Sequence, residues 1–168
     1  MINENTVFLG IGSNLNKKEN IHSCITFFKS SFKHCSISPI YQSPSFGFEG
    51  HDFYNLVIKI KTHFKLPSLK KWLMWVEDVH NRDRSQPRYS NRTLDIDILL
   101  FNNDIYQDEN ITIPRPEILT QGYILKPLID ISTQIKHPQT QNTFEHHWHK
   151  LQNEQASTLK LVNYKYNS

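Results

Sequence analysis

The chain has 168 residues and a formal net charge of +3, and its 10 Phe, 7 Tyr and 3 Trp can fill the core of one domain. So small a charge argues against a chain that binds nucleic acid through its overall potential. Cys24 and Cys35 lie outside any Cys-x-x-Cys motif, and there is no signal peptide and no apolar run of about 18 residues. We therefore predict one soluble, cytoplasmic domain without a disulfide framework or zinc site, and we expect it to be a monomer.

Strand and helix patterns alternate through the N-terminal part of the chain. Residues 6–11 predict a strand that ends in the turn Gly12-Ser13-Asn14-Leu15, and residues 35–41 predict an edge strand because Pro39 cannot donate to a ladder. Residues 42–52 form a loop long enough to suggest a function, and residues 53–62 predict another strand. Between the first two strands an amphipathic helix is predicted, with a buried stripe of Ile21, Cys24, Ile25, Phe28 and Phe32.

A second helix begins at Pro67, a residue suited to the first helical turn. Residues 81–91 follow it and are polar except for Tyr89, so they cannot bury enough surface to order themselves. We expect this segment to be a mobile loop that closes over a phosphorylated ligand. The helix has a predicted apolar stripe of Leu69, Trp72, Leu73, Val76 and Val79, with Glu77, His80 and Arg82 in outward or end positions.

Residues 94–101 carry the most informative pattern in the chain. Leu94, Ile96, Ile98 and Leu100 alternate with Asp95, Asp97 and Leu99, which predicts a strand with both carboxylates on one face, roughly 6.5–7 Å apart. Carboxylates held so close repel each other, and a divalent metal such as Mg²⁺ relieves that repulsion. Four arginines upstream are suited to binding phosphate, namely Arg82, Arg84, Arg88 and Arg92. The alternative is an edge strand with a solvated polar face.

The C-terminal part of the chain is less informative. We predict a turn at residues 102–104, a short returning strand at 105–106 and an extended segment at 112–116. Short helical pieces follow over residues 117–130, interrupted at Gly122 and Pro127, then a helix over 143–151 and a strand over 159–164. His146, His147 and His149 lack both the spacing of a metalloprotease helix and a nearby Cys, which favours a polar surface helix over a metal site.

These residues also bound the chemistry. No phosphate-binding loop of the Gly-x-x-x-x-Gly-Lys type is present, so a nucleoside triphosphate would be held by metals on Asp95 and Asp97 and by the arginines. Two metals about 3.5–4 Å apart could clamp attacking and leaving oxygens. Two other functions stay open: an RNA-binding module, opposed by the low charge, and a two-metal nuclease, opposed by the lack of a histidine or third acid near Asp95.

Residues 92–101, Arg-Thr-Leu-Asp-Ile-Asp-Ile-Leu-Leu-Phe, resemble the signature of 6-hydroxymethyl-7,8-dihydropterin pyrophosphokinases, as does the Gly-Ser-Asn-Leu turn. The resemblance implies transfer of the β,γ-diphosphate of ATP to the hydroxymethyl group of the pterin, with release of AMP. We expect an α+β domain in ferredoxin-like style, with helices packed on a mainly antiparallel sheet.

The same resemblance implies roles for individual residues. Asp95 and Asp97 match the ligands of two Mg²⁺ ions, and Arg82 and Arg92 match catalytic arginines that flank the mobile loop. The pterin site would consist of Ser43, Pro44, Phe46, Asn55 and Tyr89 with a sandwich of Phe53 and Tyr123. Nucleotide contacts would come from Glu77, Arg84, Arg88, Ile98, Thr112 and Arg115.

The chain departs from the family pattern mainly on the nucleotide side. Met74 stands in place of Gln, Asn110 and Gln121 in place of Arg, and Arg115 in place of His. These departures concern contacts to ATP and leave the two aspartates untouched. The resemblance covers residues 7–128 and fades beyond them, so the segment after Ile131 has no predicted role.

Overall fold

The computed structural model describes residues 3–165, in which six strands form one antiparallel sheet of order β5-β1-β4-β3-β8, with β2 also paired to β4. The long central strands β1 and β4 carry the sheet, and β5 lies at one edge beside β1. A separate two-stranded ribbon pairs β6 with β7. The bounds are β1 Asn5–Ser13, β2 Cys35–Ile37, β3 Tyr41–Ser43, β4 Phe53–Thr62, β5 Asp95–Phe101, β6 Tyr106–Gln107, β7 Thr112–Ile113 and β8 Lys160–Leu161.

Helices cover both faces of this sheet, because its strands are apolar on both sides. One core lies under α1 and α2 and contains alternate residues of β4, such as Leu56, Ile58 and Ile60. The other core lies under α3 and α4 and contains Val57 and Phe8. The bounds are α1 Lys17–Ser31, α2 Leu66–Val79, α3 Gly122–Asp130 and α4 Phe144–Gln155, with 3₁₀ turns at Pro116–Leu119 and Ala156–Thr158. The predicted α+β class with a mainly antiparallel sheet is confirmed. Within the part of the chain that is described, no helix has the length and apolar character needed to cross a bilayer.

The single edge strand predicted over residues 35–41 is wrong, because β2 and β3 are separate. Pro39 lies between them and has no N–H to donate. At this break one ladder bond is replaced by a side chain, since the Val57 N–H donates to the Ser38 hydroxyl at 2.8 Å, while the backbone bond from the Ser38 N–H to the Val57 carbonyl, at 2.9 Å, is kept. Both short strands still pair with β4.

The face assignments predicted for α2 need correction at three positions. Glu77 and His80 were predicted in outward or end positions but are only 6% and 7% exposed, His80 being the residue that ends the helix, whereas Val79 was placed inward and is 50% exposed. Each buried polar side chain has partners: the Glu77 carboxylate accepts from the Ile96 N–H at 2.8 Å, and His80 contacts the Val76 carbonyl and the Ser23 hydroxyl. Burial is tolerated because these groups are hydrogen-bonded.

A β-bulge breaks the strict alternation predicted for β5. Leu9 on β1 faces Ile98 and Phe8 faces Leu100, so Leu99 has no partner on β1. Leu99 and Leu100 therefore both enter the core under α3. Contrary to the prediction, Leu100 does not share a face with Ile98. The bulge carbonyl of Leu99 accepts a hydrogen bond from the backbone N–H of Arg115 at 2.9 Å. A local irregularity of the strand thus fixes a distant charged residue.

The C-terminal elements lie near their predicted positions but differ in detail. Gly122 begins α3 instead of interrupting it, and Pro127 lies within that helix. Thr143 caps α4, since its hydroxyl accepts from the His146 N–H at 3.2 Å. In the predicted surface helix, His147 is 8% exposed and contacts the Thr140 hydroxyl at 2.7 Å. That side chain is therefore part of the interior and not of a polar surface.

Candidate active site

A cavity of about 310 Å³ lies on the face of the sheet that also packs against α3. Its floor is formed where β1, β4 and β5 run side by side, and β1 contributes two glycines there. A Cβ atom at Gly12 would lie 3.6 Å from the Asn55 Oδ1 atom and from the Phe53 ring. The absence of a side chain at this position leaves the floor of the cavity open between the strand that carries Asn55 and the strand that carries the aspartates.

Asp95 and Asp97 project into this cavity from β5, opposite Gly12 and Gly10 in the strand register. Arg82 Nη1 lies 2.9 Å from Asp95 Oδ1, and Arg115 Nη1 lies 3.3 Å from Asp97 Oδ1. Burial and the neighbouring Asp95 charge raise the pKa of Asp97 to about 7. The carboxylate pair therefore carries an electrostatic cost that the two guanidinium groups offset only in part.

Mg²⁺ fits this donor set. Both carboxylates are acceptor-only oxygen ligands, and both side chains are partly exposed to the cavity. Among residues 3–165, no group of three or more His, Cys, Asp or Glu side chains could enclose a metal by itself. The remaining ligands would be water and phosphate oxygens, which is the usual situation for protein-bound Mg²⁺.

Arg92 has a different place from the other arginines of its segment. It is only 7% exposed, and its guanidinium donates to the carbonyls of Pro87 at 2.6 Å and Arg88 at 2.7 Å. Its backbone N–H donates to Asn14 Oδ1 at 2.7 Å, and its carbonyl accepts from the Asn14 N–H at 3.0 Å. The Gly-Ser-Asn-Leu turn thus holds Arg92 through Asn14, which was predicted only as a turn residue.

The other three arginines make contacts with carboxylates. Arg84 Nη2 lies 3.0 Å from Glu77 Oε2, and its guanidinium also reaches Asp78 at 2.9 Å. Arg88 Nη2 lies 3.6 Å from Glu117 Oε1. Burial raises the pKa of Glu77, and the hydrogen bond from Ile96 opposes that shift. Through its hydrogen bond with the Ile96 N–H, Glu77 connects α2 to the backbone between Asp95 and Asp97.

The end of the cavity near β4 is aromatic and contains one buried amide. Asn55 is 6% exposed, and its Nδ2 donates to the Ser43 hydroxyl at 2.8 Å and to the Tyr41 carbonyl at 3.3 Å. Because both amide hydrogens are used, Asn55 offers the cavity an acceptor, Oδ1, which receives no hydrogen bond from the described residues. The amide therefore presents an acceptor and no free donor to the cavity.

Aromatic rings surround this amide. Phe53 and Tyr123 both line the cavity, and the rings of Phe46 and Tyr89 meet edge to face with centroids 5.9 Å apart. The Phe46–Tyr89 contact joins the loop after β3 to the segment of residues 81–91. Burial, with Glu117 next in effect, raises the pKa of Tyr123 to about 12, so this ring is neutral at physiological pH.

Most of the residues predicted for the site line the cavity. They are Ser43, Pro44, Phe46, Phe53, Asn55, Arg82, Arg88, Tyr89, Arg92, Asp95, Asp97, Arg115 and Tyr123. Four others do not: Glu77 lies buried beneath β5, Arg84 lies over the end of α2, Ile98 lies in the opposite core, and Thr112 lies in the small ribbon. Of the departures from the family pattern, Gln121 lines the cavity, whereas Met74 and Asn110 are exposed outside it.

Glu117 is the main residue that the sequence did not indicate. It lines the cavity and pairs with Arg88 and, at 3.4 Å, with Arg115. Together with Glu77 it corrects the expectation that no third acid lies near Asp95. Apolar periodicity marks neither glutamate, because Glu117 reaches Arg88 and Glu77 reaches the Ile96 N–H across long stretches of the chain; only the family resemblance indicated Glu77. Phe48, which packs edge to face against Phe53, also lines the cavity without having been predicted for the site.

Comparison with known proteins identifies the family to which the chain is similar. A family model described as 7,8-dihydro-6-hydroxymethylpterin-pyrophosphokinase (HPPK) matches residues 8–133. The chain is 32% identical over 140 residues to a 2-amino-4-hydroxy-6-hydroxymethyldihydropteridine pyrophosphokinase of Haemophilus influenzae, covering 81% of this chain and 87% of that one. A Helicobacter pylori protein of the same name is 36% identical over 129 residues, covering 74% and 79%.

Among solved structures, a triple mutant of Plasmodium falciparum HPPK-DHPS with pteroate superposes with a TM-score of 0.73 at 13% identity. The match covers 95% of this chain and 47% of that one, and it shows the fold alone. Fold, cavity and sequence relatives together define an enzyme that transfers diphosphate. The chain belongs to the 7,8-dihydro-6-hydroxymethylpterin-pyrophosphokinase family, as the resemblance of residues 92–101 predicted, and it is a pyrophosphokinase.

Proposed function

We propose that the chain catalyses Mg²⁺-dependent transfer of diphosphate from ATP to 6-hydroxymethyl-7,8-dihydropterin in folate biosynthesis. The observation that carries this proposal is one cavity that joins a carboxylate pair and arginines to an amide-and-aromatic pocket. The first part suits a metal-bound triphosphate, and the second suits a flat polar heterocycle. The matched relatives are named for this activity.

The pterin would enter between Phe53 and Tyr123, with its donor edge toward Asn55 Oδ1. An acceptor fixed by two internal hydrogen bonds is suited to the N–H groups of a pterin, because it need not reorganise on binding. Phe46 and Tyr89 would cover the ligand from the loops. Ser43 contributes indirectly, since its hydroxyl accepts from the Asn55 amide.

In the reaction, the hydroxymethyl oxygen attacks the β-phosphorus of ATP and its proton is released to solvent. The bond from that phosphorus to the α,β-bridging oxygen breaks, and AMP leaves with that oxygen. Asp95 and Asp97 would hold two Mg²⁺ ions, which when bound supply charge neutralisation on the phosphates. Arg82 and Arg92 would stabilise charge on the transferred group, with Arg88 and Arg115 holding the remaining phosphate oxygens. Arg84 lies outside the cavity on Glu77 and Asp78, so it would join them only when the loop of residues 81–91 closes.

Formation of AMP from ATP, measured with and without the hydroxymethylpterin, tests this function. The expected result is AMP release that requires both the pterin and Mg²⁺. AMP release that does not depend on the pterin would point to a phosphohydrolase, and no release at all would refute the proposal. The single-domain organisation, the monomeric state and the cytoplasmic location stay predictions.

A further inference from the structure

Thr120 and Gln121 form the link between the 3₁₀ turn and α3. Two side chains of the cavity lie here: Gln121 in the link, and Tyr123 as the second residue of α3. Gln121 is extended, with φ −119° and ψ 113°, and its side chain does not cap the helix that follows. The N–H groups in the first turn of a helix have no intrahelical partner. At α3, the Gly122 N–H is one of these, so the link depends on a partner from elsewhere.

Gln155, the last residue of α4, supplies that partner. Its Oε1 accepts from the Gly122 N–H at 2.6 Å, and its Nε2 donates to the Thr120 carbonyl at 2.9 Å. One amide thus binds the backbone groups on both sides of Gln121, as a neighbouring strand would. The contact fixes the direction of the chain on each side of the Gln121 side chain.

Gly122 permits this close approach. A Cβ atom at that position would lie 2.9 Å from Gln155 Oε1 and 3.3 Å from the Trp148 ring. The contact therefore requires both residues: the glutamine supplies the amide, and the glycine leaves room for it. A side chain at position 122 would push α3 away from α4.

Core packing sets the position of Gln155. Phe144 at the start of α4 is fully buried, and Trp148 and Leu151 pack against the same core as α3. Gln155 follows Trp148 and Leu151 by seven and four residues, so it lies on the same side of the helix. This helix lies beyond residues 8–133, the part of the chain matched by the family model.

We propose that Gln155 is a positioning residue for the pterin site, acting through the Thr120–Gly122 backbone on the Tyr123 ring and the Gln121 side chain. The inference rests on the proposed function. Without Gln155, the Gly122 N–H and the Thr120 carbonyl lose their partners, and the glycine permits more backbone conformations than any other residue would. The Gln121 carbonyl still accepts from the Ile124 and Leu125 N–H groups, so the helix start would loosen without unfolding. Tyr123 would then stack less well on a flat ligand. Gln121 carries no charge, so the triphosphate should be little affected.

The test compares Gln155→Met with Gln152→Met. Gln152 lies one turn earlier on α4, and its side chain is hydrogen-bonded to His149 of the same helix and to no backbone group of α3 among residues 3–165, so it controls for the loss of a glutamine from this helix. Calorimetric titration with 6-hydroxymethylpterin, and separately with a non-hydrolysable ATP analogue, gives the two affinities. Steady-state kinetics gives kcat and the KM for each substrate.

We expect Gln155→Met to weaken pterin affinity and raise the pterin KM by about fivefold or more. Nucleotide affinity and kcat should stay within about twofold of wild type, and Gln152→Met should change neither affinity. Gln155→Glu keeps the acceptor for the Gly122 N–H but loses the donor to Thr120, so it should fall between Gln155→Met and wild type. Gly122→Ala should reproduce the defect with Gln155 still present.

Pterin affinity of Gln155→Met within about twofold of wild type would overturn the inference. An equal loss of pterin and nucleotide affinity would overturn it as well, because it would indicate a general disturbance of the fold. If Gln155→Met does not fold, Gly122→Ala gives the same decision by the same thresholds. Absence of pterin binding by the wild-type protein would instead refute the proposed function itself.

Discussion

Replacing Arg115 with alanine should weaken nucleotide binding and leave pterin binding unchanged. The backbone N–H of Arg115 is fixed by the bulge carbonyl of Leu99, and Pro114 and Pro116 restrict the chain on either side. Its guanidinium lines the cavity beside Asp97. Arginine stands here where the family pattern has histidine, which gives the site a permanent cation able to bind phosphate through two parallel hydrogen bonds.

The size of the effect follows from two opposing terms. A hydrogen bond to a charged group contributes about 1.5–3 kcal/mol. To reach phosphate, Arg115 must leave Asp97 and Glu117, and because these side chains are about one-third exposed and screened by solvent, each pair is worth only about 0.2–0.5 kcal/mol. The net loss expected for Arg115→Ala is therefore about 1–2 kcal/mol, or roughly 5- to 30-fold in Kd.

Calorimetric titration of a non-hydrolysable ATP analogue in saturating Mg²⁺ measures this loss. Arg115→Lys keeps the charge without the planar fork and should lose less affinity than alanine. Glu117→Gln removes the competing carboxylate and should shift nucleotide affinity in the opposite direction, toward tighter binding. If Arg115→Ala changes the Kd by less than about threefold, roughly 0.65 kcal/mol, then Arg115 is not a phosphate ligand.

Three further predictions concern the metal site, the pterin pocket and the loop. Asp95→Ala and Asp97→Ala should abolish AMP formation without lowering the ligand-free melting temperature, because each relieves carboxylate repulsion; turnover above a few per cent of wild type in either variant would contradict this. Asn55→Ala should cost roughly 1–3 kcal/mol of pterin affinity and Phe53→Ala about 0.5–1.5 kcal/mol in stacking plus lost burial; calorimetry giving wild-type affinity for both would place the pocket elsewhere. Amide exchange over residues 82–91 should slow when ATP analogue and pterin bind together, and equal protection with and without ligands would argue against a closing loop.

The parts of the site that sequence could predict depend on periodicity. Alternation placed Asp95 and Asp97 on one face of a strand, and the structure has them both in the cavity. The same rule failed at Leu100, since a bulge is a response to pairing with β1 and has no local signature. Helical periodicity failed also at Glu77, because it places every glutamate outward. It cannot show that the Ile96 N–H, on another element, donates to this carboxylate and allows its burial.

Contacts between distant residues were outside the reach of any local pattern. Glu117 meets Arg88 across 29 positions, and Gln155 meets Gly122 across 33. Whether a glutamine is a solvated surface residue or the partner of an uncapped helix depends on how α4 packs on α3. That packing is determined by Phe144, Trp148 and Leu151, whose pattern predicts a helix but not its neighbour.

The charges of the cavity are nearly balanced before any ligand binds. Four guanidinium groups face three carboxylates among the described lining residues, for a formal charge of +1: Arg82, Arg88, Arg92 and Arg115 against Asp95, Asp97 and Glu117. Since a triphosphate has about four negative charges, the two Mg²⁺ ions of the proposed reaction cancel it. Binding then requires an exchange of partners, in which metals take the aspartates and phosphates take the arginines released from them. Such an exchange needs few additional cations, so an uncharged Gln121 in the cavity, where the family pattern has arginine, is compatible with nucleotide binding.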